Sequence, residues 1–334
     1  MNKSDLKEII LSQQKRTYPS LIQREVFEKL VEYIKTPFIV IISGIRRAGK
    51  STLLYQLQQK YSGYYLNFDD ERLVNFTVAD FQLLYETFIE LYGSKNFFYF
   101  DEIQNIQGWE RFVRRLHDER KKVYVTGSNA SMLSKELGTH LTGRYVEVTI
   151  YPFSFKEFLA LKSYIFLPHD LYVTEKKIQI TKHFDEYFTQ GGFPEYLTTK
   201  NTDYLKLLYD NILYRDIMAR YNLSSEKALK ELMYLLANSL AKKISFNSLK
   251  KSLQLGSSTT VKEYCTYLEN SFLIYLVNTF SYSLKTQLYL DKKTYLVDTR
   301  LAVNLGFRMS QDVGRLLENL VFIELKRKKK EVYY

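Results

Sequence analysis

Gly44-Ile45-Arg46-Arg47-Ala48-Gly49-Lys50-Ser51 carries the spacing G-x-x-x-x-G-K-[ST]. The two glycines let the backbone wrap tightly with its N–H groups turned inward onto phosphate oxygens. The lysine reaches the β- and γ-phosphates, and the hydroxyl that opens the next helix holds Mg²⁺. Gly44, Ile45, Arg46, Arg47, Ala48, Gly49, Lys50, Ser51 and Thr52 are therefore the candidate ATP-binding segment, with Lys50 also catalytic and Ser51 a metal ligand. A glycine turn that merely contains Lys-Ser is the bland alternative. The context opposes it, because the apolar run 38–42 precedes the pattern and a helix-forming segment, 52–60, follows.

A second chemical signal lies 51 residues beyond Lys50, where the strand-like run 96–100, whose last four residues are apolar, ends in Asp101-Glu102. In this setting Asp101 fixes Mg²⁺ and Glu102 orients and deprotonates the attacking water. A third lies in Val123-Tyr124-Val125-Thr126-Gly127-Ser128-Asn129. A polar side chain on a strand between the phosphate-loop and acidic strands touches the γ-phosphate or the water, a task for Asn129 or Ser128; an ordinary turn is the alternative. Arg144, just before the run 145–150, has the charge to neutralise a transferring phosphoryl group in trans, in cis, or to serve structure alone. Arg46 and Arg47 are not needed for phosphate binding. They meet a neighbour or a second anion, or are exposed filler.

Strand-like runs 38–43, 64–68, 96–101, 122–126 and 145–150 alternate with segments of three- and four-residue apolar spacing at 52–60, 78–92 and 109–119. That alternation predicts an α/β fold with a parallel sheet between helices. In such a sheet ligands sit at the carboxyl ends of the strands, where both the glycine loop and the acidic pair fall. Residues 1–36 form a helical lead-in and 1–150 the nucleotide core. Residues 151–222 read as a helical lid broken at GGFPEY. Within 223–297, a helix at 225–243, a short helix at 246–253, a turn at 255–257, a helix at 258–270 and strand-like runs at 273–279 and 287–297 have the order of a winged helix-turn-helix. There Ser257, Ser258, Thr259, Thr260 and Lys262 open the recognition helix, and Tyr282, Lys285, Lys292 and Lys293 supply a wing. Protein contacts are the alternative use of such a domain. Residues 298–334 end in what reads as the opening of a further strand.

Composition agrees with a packed globular protein: 46% apolar residues, 13 Gly and 5 Pro among 334. The single cysteine, Cys265, excludes an internal disulfide. No signal peptide or membrane-length apolar block is present, so a cytoplasmic protein without a membrane partner is expected. Residues 1–150 contribute +3 of the net charge of +11 and residues 151–334 contribute +8. A basic excess of this kind attracts nucleic acid, although a lysine-rich solvated surface explains it as well. The basic run 326–330 reads as a solvated helix face rather than a reader of DNA.

The stretches GIRRAGKST, FYFDEIQNIQGWE, VTGSNASML, LTGRYVEVTIYPFSFKEFL, GGFPEYL, YRDIMARY and VGRLLENLVFIEL together resemble archaeal and bacterial ATPases of the AAA+ or STAND type. The resemblance implies an AAA+-like P-loop core, a helical lid, a winged helix and a restriction-endonuclease-like domain, here incomplete. It implies ATP and Mg²⁺ as cofactors, a homo-oligomer, and double-stranded or branched DNA as partner. It makes Pro194 the lid proline beside adenine; a helix-breaking turn is the residue-level alternative. It also makes Glu318 the first acid of a nuclease motif whose further carboxylates this sequence lacks, so nuclease activity is not expected. Two other readings stand beside a DNA-coupled ATPase: a slow-turnover scaffold switch with a protein partner, and a regulatory ATPase of a nuclease.

Overall fold

Five apolar runs become one parallel sheet: β1 (Ile39–Gly44), β2 (Tyr64–Asn67), β3 (Phe97–Asp101), β4 (Lys122–Gly127) and β5 (Tyr145–Ile150), in the order β2-β3-β4-β1-β5. This computed structural model describes residues 1–18, 21–129, 141–223, 225–283, 285, 287, 290–306 and 312–334. Its residues divide into two compact units, Met1–Gly44 with Gly49–Ile150, and Ile45–Ala48 with Tyr151–Tyr334. In the first unit β1 and β4 are buried along their whole length, as central parallel strands covered on both faces must be. The register pairs Ile41 with Val125 on one side and with Glu147 on the other.

The flanking helices are α1 (Lys3–Gln14), α2 (Phe27–Glu32), α3 (Lys50–Lys60), α4 (Phe81–Tyr92) and α5 (Trp109–Asp118). Asn2 caps α1, whose Leu6, Ile9 and Ile10 share the buried face. One sheet face packs Ile41, Phe98, Phe100 and Val125 against Leu84, Phe88, Trp109 and Phe112. The alternate residues Tyr99 and Tyr124 stack with ring centroids 5.6 Å apart. Their hydroxyls donate to the Tyr61 carbonyl at 2.7 Å and the Leu30 carbonyl at 2.9 Å, so the rings are buried without orphaned polar tips. Lys122 anchors the chain entering β1: its ammonium donates to the carbonyls of Tyr33, Thr36 and Phe38. Burial pushes that ammonium down to about 8.

The second unit begins with α6 (Phe155–Leu161), opened by a Ser154–Glu157 capping box. It continues with α7 (Thr174–Gln190), α8 (Pro194–Thr199) and α9 (Thr202–Asn211), which runs on as a π-helical turn, Ile212–Met218. Between α7 and α8 the glycine pair is sterically required. A Cβ on Gly192 would stand 2.4 Å from the Phe153 carbonyl oxygen, and one on Gly191, at φ +68, would stand 2.3 Å from Asp298 Oδ1. The Asp298 carboxylate accepts from the Gly192 amide at 2.7 Å and the Leu301 amide at 3.0 Å, tying the GGFPEY turn to a later helix start.

Next come α10 (Glu226–Asn238), β6 (Lys243–Ile244), α11 (Phe246–Ser252), α12 (Ser258–Asn270), β7 (Ile274–Asn278) and β8 (Lys292–Leu296), then α13 (Thr299–Asn304) and α14 (Val313–Arg327). The helix expected over 225–243 stops at Asn238. Ala241 adopts φ 55 and donates its amide to the Thr294 carbonyl at 2.7 Å, which turns the chain into β6. The antiparallel sheet has the order β6-β8-β7. Tyr334 donates to the Asn278 carbonyl at 3.2 Å and accepts from the Phe280 amide at 2.9 Å, so the last residue pairs its backbone along the β7 segment.

Candidate functional site

The glycine loop leaves the carboxyl end of β1, and its two glycines have distinct reasons to be there. Gly44 has φ +140, and a Cβ on it would lie 2.1 Å from the Ile150 carbonyl oxygen of β5. Gly49 has φ +98 and caps α3 in the left-handed region that side-chain-bearing residues avoid. Lys50, only 4% exposed, folds back to donate to the Gly44 carbonyl at 2.9 Å and stands 3.8 Å from Glu102 Oε1. Ser51 follows in the first turn of α3 with Thr52 beside it, and the Ser51 hydroxyl bonds to the Asp101 carboxylate.

Asp101 and Glu102 end β3 opposite this loop. Asp101 is 1% exposed and accepts from Tyr65 Oη at 3.1 Å and from Thr126 Oγ1. Burial pushes its carboxyl above the ordinary range, and the neighbouring Glu102 charge adds to that. The Ser51 and Thr126 hydroxyls and the Lys50 ammonium oppose the rise. Glu102 sits at φ 50 and donates its amide to Thr126 Oγ1 at 2.9 Å. Its Oε2 accepts from Gln104 Nε2 and, at 3.3 Å, from Ser128 Oγ. Strand β4 lies between β1 and β3, which brings Thr126 under both acids and leaves Ser128 and Asn129 buried at its carboxyl end.

Ser51 and Asp101, already in contact, fit a Mg²⁺ site. Among the described residues no three His, Cys, Asp or Glu side chains converge. Such an ion would complete its octahedron with phosphate oxygens and water, as Mg²⁺ commonly does.

Four residues of this constellation carry no signal that stood out in the sequence. Thr126 and Gln104 stand among the motif residues, but their types and positions do not by themselves mark them out. Tyr65 arrives from β2, which pairs with β3 in the register Tyr65↔Tyr99. Arg24, 6% exposed, brings its Nη1 to 3.1 Å from where a Gly49 Cβ would be.

Other expected residues are placed elsewhere. Arg144 is level with the start of β1, since its carbonyl accepts from the Ile39 amide at 2.9 Å. The six residues of β1 span roughly 20 Å at ~3.3 Å each, so Arg144 lies at the amino edge of the sheet, out of reach of its own chain's phosphate loop. Its guanidinium instead faces Asp118 at 3.8 Å. The reading of Arg144 as acting in cis is therefore corrected by strand direction alone. Arg46 is neither filler nor aimed at a second anion: it forms a two-pronged ion pair with Asp216 inside the second unit. Arg47 faces Glu195 at 3.6 Å, next to Pro194, which opens α8.

In the second unit Ser257 caps α12, accepting from the Thr259 amide at 3.0 Å. Two of the expected wing lysines are engaged internally. Lys292 is 7% exposed and donates to Asn278 Oδ1 and the Gln287 carbonyl, both at 2.6 Å. Lys293 pairs with Glu318, which also accepts from Tyr295 Oη at 2.6 Å. Tyr282 is almost fully exposed. Among the described residues no helix is long and apolar enough to cross a membrane.

Residues 36–159 match the family model described as an AAA domain, and residues 181–312 match a domain of unknown function. An uncharacterized protein of Methanocaldococcus jannaschii is 38% identical over 301 residues, 87% of this chain and 67% of the relative. An uncharacterized protein of Haemophilus influenzae is 34% identical over 328 residues, 92% of this chain and 80% of the relative. The chain belongs to this AAA-domain family. Among solved structures, AMPPCP-bound DnaA from Aquifex aeolicus is similar at 17% identity, covering 73% of this chain and 86% of that one, with a TM-score of 0.31. A DNA polymerase III gamma-subunit-related protein of Thermotoga maritima is similar at 16% identity, covering 91% and 100%, also with a TM-score of 0.31. Likeness at that level carries no weight for function. The AAA domain and the phosphate loop together support a nucleotide-binding ATPase of the P-loop class.

Proposed function

We propose that the chain binds Mg·ATP in the Gly44–Thr52 loop and hydrolyses it, with Glu102 as general base. The observation that supports this is one unbroken contact set: Ser51 on Asp101, Asp101 on Thr126, Thr126 on the Glu102 amide, and Glu102 within 3.8 Å of Lys50. A loop that cradles phosphate, an acid that holds a metal and an acid that activates water are thereby locked to one another. Mg²⁺ held by Ser51 and Asp101 would neutralise charge on the β- and γ-phosphate oxygens. Lys50 leaves the Gly44 carbonyl to reach the same oxygens. Gln104 and Ser128 both donate to Glu102 Oε2 and so orient the carboxylate, whose Oε1 faces Lys50 and would accept the proton from water. Asn129 or Ser128 then contacts the γ-phosphate or the water. Arg144, too far to act on its own chain, serves a neighbouring subunit in a homo-oligomer.

The helix, short strand, helix, helix and antiparallel hairpin of 226–296, with sheet order β6-β8-β7, support a winged helix that binds double-stranded or branched DNA. Ser258, Thr259, Thr260 and Lys262 at the start of α12 would meet phosphates and base edges. ATP turnover is then coupled to DNA binding or remodelling. The test is the ATPase rate of the wild type and of Glu102→Gln, with and without duplex and branched DNA at stated salt. Stimulation by DNA, and loss of turnover with retained ATP binding in the variant, is expected. Wild-type turnover in Glu102→Gln removes the general base from this account. A slow-turnover switch with a protein partner is the second reading, and an unstimulated rate with long ATP retention would select it.

A further inference from the structure

Arg46 and Arg47 occupy loop positions where phosphate binding asks for no side chain, yet each faces a carboxylate, and that of Arg46 is buried. Arg46 Nε donates to Asp216 Oδ2 at 2.9 Å and Nη2 donates to Asp216 Oδ1 at 2.8 Å, a parallel fork across 170 positions of sequence. Asp216 is 2% exposed and is flanked by Ile212, Leu213 and Ile217, all fully buried. It lies on the π-helical turn Ile212–Met218. Such turns carry one residue more per turn than an α-helix. They are rare and are frequently found at functional sites.

Ile45–Ala48 closes with a 3.3 Å bond from the Ala48 amide to the Ile45 carbonyl, and Arg47 adopts φ 65, a left-handed conformation that a Cβ disfavours. The Arg47–Glu195 pair is half exposed and adds little. A buried ion pair stabilises a fold no better than apolar packing of the same volume. What the fork adds is geometry, because two parallel bonds fix the plane and distance of the guanidinium.

We propose that Asp216 is a positioning residue of the nucleotide site. By gripping Arg46 it holds the Ile45–Ala48 turn in the shape that aims the loop's backbone N–H groups at a polyphosphate. This rests on the ATP reading above. It extends that reading to a carboxylate far along the chain that touches no phosphate.

The discriminating variant is the double replacement Arg46→Met with Asp216→Val, which stays closer to the pair's combined volume and removes both charges. Melting of the nucleotide-free protein is compared with the dissociation constants of fluorescent mant-ATP and mant-ADP. Melting close to wild type is expected, with both nucleotides weakened about tenfold or more through lost preorganisation. ADP is affected equally because the turn serves the β-phosphate. Arg46→Lys, which keeps a point charge without the fork, is expected to fold and to weaken both nucleotides in the same direction. Wild-type affinity in the apolar pair overturns the proposal; should that pair not fold, wild-type affinity in Arg46→Lys does so. A wild-type protein that binds neither nucleotide removes the ATP reading itself, and this inference with it.

Discussion

Thr126→Val is the substitution that most directly examines how the two acids are held. Thr126 is fully buried and its hydroxyl does two things: it donates to Asp101 and accepts from the Glu102 amide at 2.9 Å. Valine keeps the volume and removes both. A backbone N–H left without its acceptor costs about 1–3 kcal/mol, and a hydrogen bond to a charged group contributes about 1.5–3 kcal/mol. The loss is therefore about 2.5–6 kcal/mol. In a domain of this size each kcal/mol moves the melting temperature by about 2–4 °C, so a fall of at least about 5 °C is expected by calorimetry. Because the lost bond holds the Asp101 carboxyl down, its removal raises that group further. The acid limb of Mg·ATP binding then moves to higher pH. Thr126→Ser keeps the hydroxyl and should restore both properties. Thr126→Val melting within 1 °C of wild type, with an unshifted acid limb, would refute the bridging role.

Asp101→Asn removes a buried carboxylate whose folded pKa lies above its unfolded one. The folded wild type holds that proton more tightly, so its stability falls as pH rises from the unfolded value through the raised folded value. The nucleotide-free Asn variant should therefore gain on the wild type from pH 4.5 to 7.5 in thermal melts while losing Mg²⁺-dependent ATP affinity; a gap that narrows with pH would contradict this. Glu102→Gln should bind ATP with wild-type affinity and slow hydrolysis by at least about a hundredfold, the usual scale of a lost general base, read by single-turnover assay. Mixing Arg144→Ala with Glu102→Gln subunits should restore part of the activity, because some interfaces then hold both intact groups; no recovery at any ratio would take Arg144 out of catalysis. The Cys265 thiol, buried and pushed up to about 12, should resist aromatic disulfide reagents in the native protein and react only on unfolding, checked by absorbance.

The legible parts of this protein are those whose physics is local. A phosphate loop needs its two glycines, lysine and hydroxyl within eight consecutive residues, and an acid pair at a strand end needs only the apolar run before it. Alternating strand and helix periodicity likewise carries the five-stranded sheet, because each element's pattern reports its own buried faces. Element ends were less legible. The close of α10 at Asn238 and the two-residue β6 depend on Ala241 meeting Thr294, more than fifty positions away.

What the chain alone determined is the chemistry on offer: a backbone cradle, one lysine, one hydroxyl and two carboxylates, each set by neighbours in sequence. Tertiary structure alone decided which groups share a proton or a charge. Strand order slid β4 between β1 and β3 and so put Thr126 under both acids. Parallel strand direction carried Arg144 to the far edge of the sheet. Burial of a π-helical turn closed Asp216 on Arg46 across 170 positions. Contacts of that kind leave no period or motif behind, because a hydrogen bond or an ion pair depends on distance in space and is indifferent to distance along the chain.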